Sequence, residues 1–242
     1  MGSGPFQQLE QGLTPIFLPL HDSNPVRHIR FPYVNYGLIG LTSLVFIVQT
    51  ILPARLNDDL AINFGLIPVV VRDVFPQPLP WLPDQVPLVT YAFLHADWLH
   101  LLSNMLFLFI FGDNVEDALG HVKYLLFYLV SAALAALAHT LIFPDSMGPL
   151  IGASGAVAGV LGAYAVLYPF ARVFVLARIV WLVPLPLPAI WMLGVWFATQ
   201  LFYAFAGSNE PVAWWAHIGG VVAGAVLVLL LKRREVPLFG GR

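Results

Sequence analysis

Two residues of this chain have side chains that could act on each other. Ser154 heads the run Gly152-Ala153-Ser154-Gly155-Ala156-Val157-Ala158-Gly159-Val160-Leu161-Gly162, and His217 lies in Ala216-His217-Ile218-Gly219-Gly220-Val221-Val222-Ala223-Gly224. A serine hydroxyl beside an imidazole is a nucleophile with its general base, the arrangement of covalent catalysis. Spacing indicates how the two could meet. On a helix Gly155, Gly159 and Gly162 form one stripe, with Ser154 at its side. At about 100° per residue, Gly220 and Gly224 return to within about 60° and 20° of the His217 direction. Small residues along a stripe let membrane helices touch backbone to backbone. A smooth helix carrying the serine can thus lie against another carrying the histidine. Each residue also has a bland reading. A serine in an apolar helix commonly bonds a carbonyl one turn back, whereas an ionisable group at that depth is a functional candidate by default.

A third group stands earlier in the chain, in His95-Ala96-Asp97-Trp98-Leu99-His100-Leu101-Leu102-Ser103-Asn104. His100 and Asn104 are one turn apart on a shared face and both offer N–H donors. Donors aimed at one point are what a developing oxyanion needs. The ordinary alternatives are that Asn104 bonds a helix carbonyl and His100 packs at the interface. Three histidines could ligate zinc, but there is no His-Glu-x-x-His helix and no spare carboxylate at depth. The expectation is no metal and no cofactor.

The elements that must position these groups follow from composition. Of the 242 residues, 59% are hydrophobic and only 10% charged, against about 25% charged in a soluble domain. The fold class expected is all-α, a polytopic membrane protein with six transmembrane helices. The net charge of −2 argues against a nucleic-acid partner, and the absence of cysteine removes disulfides and thiol chemistry. Three regions are expected: a tail over residues 1–33 with little periodicity, a membrane domain over 34–231, and a short tail over 232–242. The spans fall at about Val34–Leu52, Trp98–Phe111, Tyr124–Phe143, Ala153–Tyr168, Ala189–Phe205 and Val212–Leu231. Asp97 can cap the second, and Pro184-Leu185-Pro186-Leu187-Pro188 breaks the chain before the fifth. The long first loop, 54–91, is proline-rich and apolar, and its run Leu66–Val71 with Trp81 suits a segment lying in the membrane interface. Six spans put both termini on one side, together with Arg27, Arg30, Lys123, Arg172, Arg178, Lys232, Arg233, Arg234 and Arg242. Only Arg55 and Arg72 fall opposite, so the crowded side is expected to be cytoplasmic. Ser154 and His217 then both start their helices near the outer face.

Three motifs in this order resemble the rhomboid family of intramembrane serine proteases: His100-x-x-x-Asn104, Gly152-x-Ser154-Gly155 and Ala216-His217-x-x-Gly220-x-x-x-Gly224. Thr90-Tyr91-Ala92-Phe93-Leu94-His95 and Phe111-Gly112-Asp113-Asn114-Val115-Glu116 are similar to rhomboid sequence as well. The likeness covers about residues 34 to 231. It implies a rhomboid-like bundle with a short, central serine helix, and a Ser154–His217 dyad without an acid. It also implies an oxyanion and substrate-binding region of Asn104, His100, Gly152, Gly155 and the Ser154 amide, with Gly159, Gly220 and Gly224 for helix packing. Implied too are a lateral gate between the second and fifth spans, other transmembrane proteins as substrates, and surrounding lipid. The expected setting is a multi-pass protein of a bacterial-type plasma membrane; the oligomeric state has no sequence signal. Two positions depart from the family pattern. Val86-Pro87 stands where many relatives have Trp-Arg, and Ala158 replaces a tyrosine that supports the histidine ring, so another group must hold that imidazole. Rival classes are a binding-only relative, which would normally lack Ser154 or His217, and a channel or transporter, which would usually show paired charges or broken helices at mid-membrane.

Overall fold

The computed structural model describes residues 17–76, 79, 81–178, 182–207 and 212–240. Residues 1–16 of the expected tail, and Arg242, lie outside them. Seven helices carry the fold: α1 (Tyr33–Ile51), α2 (Ala54–Phe64), α3 (Trp98–Leu119), α4 (His121–Ile142), α5 (Ser154–Leu167), α6 (Ala189–Ala206) and α7 (Trp214–Leu231). Five of them, α1, α3, α4, α6 and α7, are 18–22 residues long and apolar enough to cross a membrane. The chain is therefore an integral, multi-pass membrane protein. The expected fourth span differs. Only 14 residues of its uncharged run are helical, a length of about 21 Å against a hydrocarbon core of about 30 Å. The six-span count thus becomes five long helices around one short inner helix.

The helix limits have local causes. Asp97 caps α3 as expected, its Oδ1 accepting from His100 N at 2.8 Å. The same helix continues eight residues past the expected stop at Phe111, because its last turns bury their polar groups instead of meeting lipid. Glu116, fully buried, accepts from the free amides of Val34 and Asn35 at 3.1 and 2.7 Å and so closes the N-terminus of α1. Asp117 accepts from the amides of Arg27, His28 and Ile29. Gly120, at φ +82, ends α3 and lets α4 begin one residue later.

Two expectations about irregular regions are corrected. Residues 17–33 are not without structure: Phe17–Asp22 forms β1, which pairs antiparallel with β2 (Arg172–Arg178) from Phe17↔Ala177 to Asp22↔Val173. The proline run is not a simple break either. It lies within β3 (Leu182–Pro188), which pairs with β2 from Arg172↔Pro188 to Arg178↔Leu182. β3 is an edge of the three-stranded sheet. On an edge every second N–H points away from the partner, so Pro184, Pro186 and Pro188 need give up no ladder bond. The long first loop contains α2 and short helical turns at Pro68–Val71 and Pro87–Thr90. It is tied down by a Leu66–Leu150 bridge with bonds of 2.9 and 2.8 Å, by Thr90 Oγ1 donating to Phe64 O at 2.7 Å, and by an Arg72–Asp145 ion pair. Trp81 is exposed, but Leu66 to Val70 of the run expected in the membrane interface are buried against the protein, because the Leu66–Leu150 bridge draws that segment inward.

Candidate active site

The centre of the bundle is a seam of backbone on backbone. A Cβ placed on Gly220 would lie 2.1 Å from Gly155 O, and one on Gly224 would lie 1.9 Å from Gly159 O. The two contacts advance together by four residues, so α5 and α7 run parallel with their N-terminal ends side by side. Ser154 is the first residue of α5, and His217 lies in the first turn of α7. The expected stripe on α5 is divided between two neighbours. Gly155 and Gly159 face Ala135 and Ser131 of α4, where a Cβ would come within 2.7 and 2.6 Å, whereas Gly162 faces Val221 O of α7 at 2.2 Å. α5 is therefore wedged between α4 and α7. Its head is sunken: Gly155 is level with Ala135, and α4 runs about 10 Å further, to Ile142, at about 1.5 Å per residue.

A second cluster stands on α3 and the segment before it. The His100 ring lies over Gly152, whose Cβ, if present, would sit 2.5 Å from Cε1 and 2.6 Å from Nε2. Gly152 also has φ +124, so the position excludes a side chain twice over. Asn104 Nδ2 donates to His100 O at 2.9 Å and approaches His95 Nε2 at 3.4 Å. The Ala153 amide points to that same His95 Nε2, also at 3.4 Å. His95 is an accepting hub absent from the expected set. Burial first, and the neighbouring His100 second, push its imidazole down to about 3, which keeps it neutral. Gln49 of α1 fixes its backbone, accepting from His95 N at 3.1 Å and donating to His95 O at 3.3 Å. The residues leading into Ser154 are held as well, since Gly152 N donates to Tyr91 O at 2.9 Å. His100, Asn104, Gly152 and the approach to Ser154 thus form one group, with Gly155 beginning the seam that leads to His217.

The support for the His217 imidazole comes from α6. Gln200 Oε1 lies 2.7 Å from His217 Nδ1, and both residues are buried, at 4% and 9% exposure. The signal was present in the sequence as an amide in an otherwise apolar span, one and two turns beyond Trp196 and Leu193. Among the bulky residues of α6, Trp196 and Phe197 are half-buried, while Trp191, Phe202 and Tyr203 point outward. The Trp196 and Trp214 rings each stand 6.1 Å from that of His217.

Residues 83–234 match the family model described as the Rhomboid domain. The chain is 29% identical over 156 residues to Rhomboid protein 1, mitochondrial, of Saccharomyces cerevisiae, covering 60% of this chain and 42% of that one. It is 33% identical over 162 residues to Rhomboid-like protein 11, chloroplastic, of Arabidopsis thaliana, covering 62% and 54%. Similarity to Rhomboid protease GluP of Bacillus subtilis is 29% over 211 residues, covering 87% of this chain and 37% of that protein. The chain spans about half the length of the curated relatives it matches.

Proposed function

The chain belongs to the rhomboid family, and from that premise we propose that it is an intramembrane serine endopeptidase working through Ser154 and His217. The observation that carries this reading is the parallel seam, Gly155 on Gly220 and Gly159 on Gly224, which sets the heads of α5 and α7 side by side. His217 Nε2 takes the Ser154 proton as the hydroxyl oxygen attacks a peptide carbonyl carbon. The carbonyl oxygen becomes an oxyanion, held by donors from Asn104, His100 and the Ser154 amide. The tetrahedral adduct collapses, the amine leaves with the proton returned by His217, and water hydrolyses the acyl-enzyme by the same base. The residues act without a cofactor. The substrates are transmembrane proteins, cut near the outer face. The end bearing Arg27, Lys123, Arg172, Lys232 and Arg233 faces the cytoplasm, with both termini on that side. The compartment fitting this charge bias is a bacterial-type plasma membrane.

Labelling by a fluorophosphonate probe tests the nucleophile. Wild-type protein is expected to be labelled and to cleave a transmembrane reporter, and Ser154→Ala and His217→Ala each to lose both. The double variant is expected to be no worse than either single one, because residues acting as a unit lose together. Substantial cleavage by folded Ser154→Ala protein would refute the serine mechanism.

A further inference from the structure

His217 is held from a helix that carries no other candidate site residue. Gln200 reaches it from α6, and the local bonds determine which way its amide faces. Thr199 Oγ1 donates to Trp196 O at 2.6 Å, which leaves its lone pairs free to accept. Gln200 Nε2 donates to Trp196 O at 3.1 Å and to Thr199 Oγ1 at 3.2 Å. Turning the amide over would set its oxygen against a carbonyl oxygen, so the observed orientation is the one that satisfies both ends. Oε1 is thereby presented to His217 Nδ1 at 2.7 Å. An acceptor there requires the proton on Nδ1, which leaves Nε2 with its lone pair, the form a general base must have. The Trp196 and Trp214 rings, at 32° and 90° to the imidazole, flank the same ring.

We propose that Gln200 is the positioning residue for the base: its side-chain oxygen selects the Nδ1–H tautomer of His217 and turns Nε2 toward Ser154. The proposal rests on the Ser154–His217 reading above. The amide does part of what a carboxylate does in a serine–histidine–acid triad, orienting the ring without adding a charge at membrane depth, where an unpaired carboxylate would be costly. Among the described residues, the titratable groups acting on His217 are His100 from α3 and His139 from α4, and neither is an acid.

The test compares wild type, Gln200→Met and Gln200→Glu in three measurements: fluorophosphonate labelling rate, kcat and KM for a short soluble peptide, and the pH profile of kcat/KM. Met fills the space of the amide without accepting a bond. It is expected to lower the labelling rate and kcat about tenfold with KM unchanged, the loss of one orienting hydrogen bond. Glu keeps the acceptor and adds charge. It is expected to retain activity and to move the acid limb of the profile to higher pH, because a carboxylate favours the imidazolium. His100 and His139 are the same in all three proteins, so the movement reports Gln200 alone. Wild-type labelling rate and kcat in Gln200→Met, or an unmoved acid limb in Gln200→Glu, would overturn the proposal; should the Met variant fail to fold, the Glu profile decides. Absence of Ser154-dependent labelling in the wild type would refute the dyad itself, a different outcome.

Discussion

Adding one methyl group to the seam should do more harm than its size suggests. In Gly224→Ala the new Cβ falls 1.9 Å from Gly159 O, 2.5 Å from Gly159 C and 2.6 Å from Gly159 Cα. All three are backbone atoms of α5, so no rotamer relieves the clash. A carbon–oxygen contact of about 3.3 Å needs the helices to part by about 1.4 Å. α5 cannot retreat, because Gly155 and Gly159 already lie against Ala135 and Ser131 of α4. Overpacking of this kind costs about 1–3 kcal/mol, and rigid backbone on both sides puts this case near the top. Alanine recovers about 0.5–1 kcal/mol as the better helix former, leaving a net loss of about 2 kcal/mol. For a chain of this size that is a fall of about 4–8 °C in Tm. Gly37→Ala and Gly194→Ala are matched controls: nothing lies within 4 Å of either added Cβ, so the same chemical change should raise Tm by about 1–4 °C. Unfolding in detergent, followed by the fluorescence of the seven tryptophans, reads all three, and reporter cleavage should fall with Gly224→Ala alone. Should Gly224→Ala melt at or above wild type, or Gly37→Ala lose as much, the seam does not bear the load assigned to it.

Two further perturbations probe the gate and the sheet. α6 buries only Ala189, Met192, Leu193 and Gln200, so truncating half-buried Phe197 should free it, and Phe197→Ala is expected to speed cleavage of a transmembrane substrate several-fold while leaving a soluble peptide unchanged. Trp196→Ala is the poorer probe, since that ring also flanks His217, and equal acceleration of both substrates by Phe197→Ala would count against a gate. At the opposite end, burial raises the Asp22 carboxyl from 3.8 to about 6, against the opposing bond from Tyr164. The folded protein therefore holds this proton to higher pH than the unfolded chain, so the contribution of Asp22 to stability falls as pH rises from about 4 to 6 and is level above, by up to about 3 kcal/mol. Asp22→Asn should melt above wild type at pH 7.5 and with it near pH 4; a Tm gap between variant and wild type that is the same at both pH values would refute the assignment.

What could be read from the residues alone divides along physical lines. The long helices were legible because lipid demands an unbroken apolar run, and Asp97 was legible because a cap is a local bond. The glycine spacing pointed to a close approach, but which helix each glycine meets depends on the whole bundle, and on α4 the small residues Ser131 and Ala135 that meet Gly159 and Gly155 stand among other alanines that do not single out a face. β1, β2 and β3 were missed because strands this short, two of them carrying prolines, lack the alternation that identifies a strand, and the partner of β1 lies far away in sequence. Gln200 and His95 were missed for a related reason. A buried polar side chain shows its partner only once the helices that carry the two have been packed together.

The pairing of β1 with β2 also has a place in time. Phe17 meets Ala177, and at about 5–20 residues per second a ribosome needs roughly ten to thirty seconds to make the chain between them. Over that interval α1, α3, α4 and α5 are synthesised while the strand that precedes them all lacks its sheet partner. β1 can therefore pair with β2 only after most of the bundle has been made. It acts as a late clasp on the earlier helices, and its arrival marks an assembly in which residues 17–178 have found their order.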